Sequence, residues 1–153
     1  MKKILSILLY FVAFALPVYL FEIMFRSQLS ELELNSGGIY RDAPFFYIPI
    51  SVILVLLFSW LSTRFGEKML FRIIASIVYA LFYMWMCFFI AYAYKQLFGT
   101  TWQRGEVFSA LVLSQWYFYV FGSVGIIIFS LPLIQKKQKL RHIQAIHFLK
   151  RRL

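Results

Sequence analysis

Few groups in this 153-residue chain could do chemistry: six carboxylates, two histidines and one cysteine. A membrane hydrolase or lipid transferase built on paired aspartates needs both, as an acid–base couple or as metal ligands. Asp42 is the only aspartate. His142 and His147 are five residues apart, which turns them about 140° from one another on a helix and away from a shared metal. Cys87 stands alone, so neither an internal disulfide nor a CxxC zinc site is available. No base sits in the apolar runs to activate a serine, and no glycine-rich phosphate loop is present. This inventory predicts no metal, no cofactor and no enzymatic activity.

Glu22 is the carboxylate that stands out. It falls in the last turn of the first apolar run, where a charge is costly unless paired or wetted. It reads either as an interfacial carboxylate or as a buried one pairing with Arg26, Lys95, Arg104 or a ligand cation. Gln115, beside Ser114, enters the apolar layer from the same side. Tyr92, Tyr94, Trp102, Trp116 and Tyr117 gather toward that face and read as an aromatic belt at the headgroups. A second reading makes Glu22, Gln115, Trp116, Tyr92 and Trp102 an outward-facing polar and aromatic pocket for an amphipathic ligand.

The elements that would position these residues are apolar helices. Hydrophobic residues make up 62% of the chain and charged residues 14%, against about 45–50% and about 25% in soluble domains. Ile73 to Tyr94 contains no charge and is fenced by Arg72 and Lys95. A helix over those residues reaches about 33 Å, enough for a hydrocarbon core of ~30 Å. The expected fold is all-α: a polytopic bundle of four transmembrane helices over 1–134, with spans at about 4–25, 45–63, 73–94 and 110–134. The start, Met1-Lys2-Lys3 before an apolar run, imitates a secretory signal, but the run is too long for one and reads as an uncleaved span. Pro17 predicts a kink within it. Leu29, Leu32 and Leu34 in the first loop allow one short interfacial helix. Ser59/Thr63, Ser76/Ala80, Ala110/Ser114 and the pair Gly122 and Gly125 allow close helix approach.

Loop charges set the orientation. Lys2, Lys3, Arg64, Lys68, Arg72 and the tail place twelve positive charges on one side, against four (Arg26, Arg41, Lys95 and Arg104) on the other. The positive-inside rule then predicts both termini in the cytoplasm. Residues 135–153 form a basic cytoplasmic tail bearing Lys136, Lys137, Lys139, Arg141, Lys150, Arg151 and Arg152. Its apolar residues recur every three positions, which gives no sharp helical stripe. A net charge of +10 raises nucleic acid as a partner. The charges lie beside membrane exits, however, so anionic lipid headgroups are the expected contact and nucleic acid is not.

In size, span number and a glutamate in the first span, the chain is similar to small multidrug carriers, although Glu22 lies near the span's end rather than deep within it. By shape it also resembles bacterial immunity proteins against pore-forming toxins, which are small, four-span, with both ends inside and without catalytic groups. The expectation is a non-enzymatic protein of the bacterial inner membrane acting through protein contacts, as an accessory, sensor or immunity-type subunit. Its partner would be another membrane protein or a second copy of itself. The rival expectation is a small oligomeric carrier or channel for a cationic or amphipathic solute, using Glu22 and Gln115.

Overall fold

In hydrocarbon every backbone amide and carbonyl must be satisfied within the chain, so long apolar runs resolve into helices. The computed structural model describes residues 2–30, 43–66, 68–94 and 103–150, with side chains placed for 4–28, 47–66, 68–93 and 103–134. Among the described residues there are five α-helices and no strand: α1 (Lys2–Ser30), α2 (Ala43–Phe65), α3 (Met69–Tyr94), α4 (Arg104–Phe108) and α5 (Trp116–Lys150). A π-helical turn, Ser109–Leu113, follows α4. Four segments are long and apolar enough to cross a membrane: Ile4–Gln28, Tyr47–Phe65, Met69–Ala93 and Trp116–Ile134. Their outward surfaces are as apolar as their packed ones, with Ile53, Leu56, Trp60, Leu70, Ile77, Trp85 and Ile127 all exposed. An aqueous surface of that composition is an aggregation liability, whereas a lipid-facing one is ordinary.

The helix bounds differ from the expected spans in two informative places. The segment expected as one span over 110–134 is divided, because Ser114 and Gln115 lie between the π turn and α5. The Ser114 amide donates to Ser109 O at 3.1 Å, five residues back, and the Ser114 hydroxyl donates to Ala110 O. Side-chain donors competing for backbone carbonyls bend or interrupt a helix. At the other end α5 continues past Ile134, so the backbone of the expected tail is helical as far as Lys150. The loop centred on Asn35 and the residues 95–102 lie outside the described residues, as does any interfacial helix over Leu32 and Leu34.

α1 is the central element, packing against α2, α3 and most extensively α5. Its buried positions are Tyr10, Ala13, Phe14, Pro17, Val18, Phe21, Glu22 and Phe25, a stripe at steps of three and four. On α5 the matching positions are Phe118, Gly122, Gly125, Phe129 and Leu133. Phe21 meets Tyr117 and Phe118, and Phe14 meets Phe129, so the two helices run antiparallel. Four helices converge on one cluster of rings. Phe14 of α1 lies 5.6 Å from Phe58 of α2, 5.3 Å and 5.1 Å from Tyr79 and Phe82 of α3, and 5.6 Å from Phe129 of α5. Such offset and edge-on ring pairs contribute about 0.5–1.5 kcal/mol each beyond simple burial.

Candidate functional site

Pro17 has no backbone N–H, so the Ala13 carbonyl one turn earlier loses its helical partner. The structure supplies another: the Tyr79 hydroxyl of α3 donates to Ala13 O at 2.8 Å, deep in the core. The ring of Tyr79 stacks on Phe129 with centroids 4.9 Å apart, and its hydroxyl occupies the space a Cβ at Gly125 would need. That same Cβ would stand 2.8 Å from Pro17 Cγ. Glycine at 125 is what lets α1, α3 and α5 meet around this bond. The arrangement repeats one turn along α3, where the Tyr83 hydroxyl donates to Phe118 O at 2.9 Å. Here a Cβ at Gly122 would approach Tyr83 Cε1 to 2.8 Å. Both glycines are therefore tyrosine seats, which gives the expected close approach its physical content.

Glu22 is buried, at 3% exposure, and Arg26 is its ion-pair partner at 2.6 Å. Glutamate one turn N-terminal to arginine is the favourable order on a helix. The arginine keeps 41% of its side chain exposed, so the pair has one covered partner and one partly open one. Tyr47 of α2 interacts with the same carboxylate. Of the partners anticipated for Glu22, the structure pairs Arg26 with it and brings Tyr47 near from a neighbouring helix, while Lys95 lies outside the described residues.

The remaining members of the anticipated pocket are placed as follows. Gln115 donates through Nε2 to Ser114 Oγ at 3.1 Å and Ala110 O at 3.5 Å, within its own turn. Trp116 is 62% exposed, and its ring meets Tyr117 edge-on at 5.9 Å. Tyr92 is exposed and its ring lies 5.7 Å from Phe88. Trp102 lies outside the described residues. The side chains of Lys136, Lys137, Lys139, Arg141 and Lys150 are not described, and Arg151 and Arg152 lie beyond the described helix. The link between Glu22's end of α1 and the start of α5 comes instead from Tyr117, whose hydroxyl donates to Gln28 Oε1 at 3.0 Å. Cys87 is fully buried, so its thiol is packed away from solvent.

Three contributors escape a reading of the sequence by residue type: Tyr79, Tyr83 and Tyr47. One clue was available for the first. A proline in mid-span leaves a carbonyl needing a donor, and a tyrosine in another apolar run can supply it. Comparison of the chain with protein-family models, with curated proteins and with solved structures returns no match.

Proposed function

We propose that the chain is a small non-enzymatic protein of a bacterial inner membrane, with four spans forming a bundle and both termini in the cytoplasm. It acts through protein contacts, as an accessory, sensor or immunity-type subunit. The observation that carries this reading is the ring cluster at the convergence of the four long helices. Phe14, Phe58, Tyr79, Phe82 and Phe129 fill the space where the four helices meet, which argues against a solute path through the middle of a single chain. Two of the polar groups beside it are committed to structural bonds, Tyr79 to Ala13 and Tyr83 to Phe118. What remains for interaction is the broad lipid-facing surface, above all that of α2, together with the basic end of α5.

The second reading, a carrier using Glu22 and Gln115, has one observation on its side: Glu22 is buried. The two readings separate in a paired experiment. Proteoliposomes carrying the full chain and a trapped pH-sensitive dye should show no proton or cation flux above protein-free vesicles. In native gels of gently solubilised membranes, the chain should migrate in an assembly larger than its own 18.2 kDa. Flux that Glu22→Gln abolishes at unchanged membrane abundance would overturn the proposal in favour of the carrier, whether the chain migrates alone or as an assembly of its own copies.

A further inference from the structure

Ser51 of α2 is fully buried, and its hydroxyl has no hydrogen-bond partner. Ser62 and Ser130, by contrast, donate to Ser59 O and Ile127 O of their own helices. A buried hydroxyl without a bond calls for an explanation, such as a catalytic role, a water or an ion. The Glu22 carboxylate is a second group of this kind. Arg26 pairs with it and Tyr47 interacts with it, yet neither of its oxygens receives a well-directed hydrogen bond. Two contacts fix the register between them. Phe14 meets Phe58 and Glu22 meets Tyr47, so α1 and α2 run antiparallel. Eight residues along α1 from Phe14 is Glu22; the same step back along α2 from Phe58 is Ile50, next to Ser51. Tyr47 and Ser51 are four residues apart, on one buried face of α2. Glu22 and Ser51 thus stand at one level of the same interface.

Depth makes that level matter. The ring cluster lies within about one turn of the midpoints of the four spans, Leu16, Leu56, Leu81 and Gly125, and so marks the middle of the apolar layer. Glu22 is six residues from Leu16 and Ser51 five from Leu56, about 9 Å and 8 Å along a helix. Half a hydrocarbon core is ~15 Å, so both lie beneath its edge, where an ionisable side chain marks a functional site. A hard metal cation takes about six oxygen ligands and would share this carboxylate with a guanidinium 2.6 Å away. A proton needs only the carboxylate and one acceptor for the new O–H. We propose that Glu22 and Ser51 form a proton-binding site in the contact of α1 and α2. The proton comes from water at the Arg26 end, adds to a Glu22 oxygen and is donated in a hydrogen bond to Ser51 Oγ. Arg26, already partly open, parts from the neutral carboxyl. Among the described residues, Arg26 on α1 and Tyr47 on α2 are the ionisable groups acting on Glu22, and none does so from α3 or α5. The site rests on the membrane-spanning reading and deepens its sensor form, naming the stimulus as acidity on the side where α1 ends.

Infrared difference spectra of the full chain in phosphatidylcholine vesicles test the site, with the pH lowered from about 8 to about 4. A carboxyl C=O band should grow in as the pH falls and be absent from Glu22→Gln, which imitates the protonated state. Ser51→Ala should shift that band, because the O–H loses its acceptor, and Tyr47→Phe should move it less. If Glu22→Gln fails to insert, Glu22→Asp carries the test: it keeps a carboxyl on a shorter stem and should displace the band. A spectrum without any Glu22-dependent band would show a permanently ionised pair and overturn the site. A band that ignores Ser51→Ala, or that moves only in Tyr47→Phe, would do the same, since the proton would then rest elsewhere. Suppression of the band by sodium, but not by choline at equal ionic strength, would give the site to a metal cation and overturn it too. None of these results touches the protein-contact reading, which fails instead through proton or cation flux that Glu22→Gln abolishes.

Discussion

Glu22 and Arg26 share a helical face but not an environment, and their exchange should be asymmetric. The glutamate side chain is almost wholly covered, while the arginine side chain keeps two-fifths of its surface open. Removing the arginine strands a buried charge, which costs about 3–5 kcal/mol when a buried pair is broken. Removing the glutamate's charge leaves an arginine that can turn to water or headgroups, and the loss falls toward the ~1 kcal/mol of an exposed pair. Arg26→Ala should therefore lower the melting temperature of the detergent-solubilised protein, and its membrane abundance, well below those of Glu22→Gln. Equal effects would mean that both groups are wetted. Sequence alone marked Glu22 as expensive and named Arg26 among its partners. It could not distinguish interfacial from buried, because burial depends on how α1 packs against the other long helices, α2, α3 and α5.

At the scale of elements, the contact of α1, α3 and α5 turns on Ala13, Pro17, Tyr79 and Gly125. Tyr79→Phe leaves the Ala13 carbonyl without its donor, at about 1–2 kcal/mol, the range of interhelical bonds between membrane spans. Gly125→Ala inserts a methyl where the hydroxyl lies, and overpacking of this kind costs about 1–3 kcal/mol. The two substitutions should not add. With the hydroxyl gone part of the clash is relieved, so the double variant should be more stable than the sum of the single losses predicts. Additive losses in thermal unfolding would show that the hydroxyl and the glycine are not in contact. The long helices themselves were legible, since uninterrupted apolar runs leave no other way to satisfy the backbone. The break before α5 was not. Neither proline nor glycine marks Ser114 and Gln115; the interruption comes from side-chain donors turning back to Ala110.

For the whole molecule, the orientation we propose is open to direct measurement. Reporter fusions after Leu153 and within 64–68 should report the cytoplasm, and those near Gly37 and Thr100 the opposite side. A cytoplasmic signal at Gly37 would reverse the arrangement. That expectation comes from counting charges in short loops, which act on insertion before any helix packs. The same holds for the presence of four long apolar helices, since hydrophobicity and backbone satisfaction are properties of each segment by itself. What only the tertiary structure decided is which face of each helix turns inward. A helix that is apolar all round carries no stripe of hydrophobicity to sort its sides. Lipid tails are no more hostile to leucine than the interior is, so burial of apolar area does not choose. The choice falls to hydrogen bonds and close fits between distant residues. Tyr79 and Tyr83 turn in toward Ala13, Phe118 and the two glycines, while Trp85 and Phe89, on the same helix, turn out. Those pairings span up to 66 residues of chain, and no local pattern encodes them.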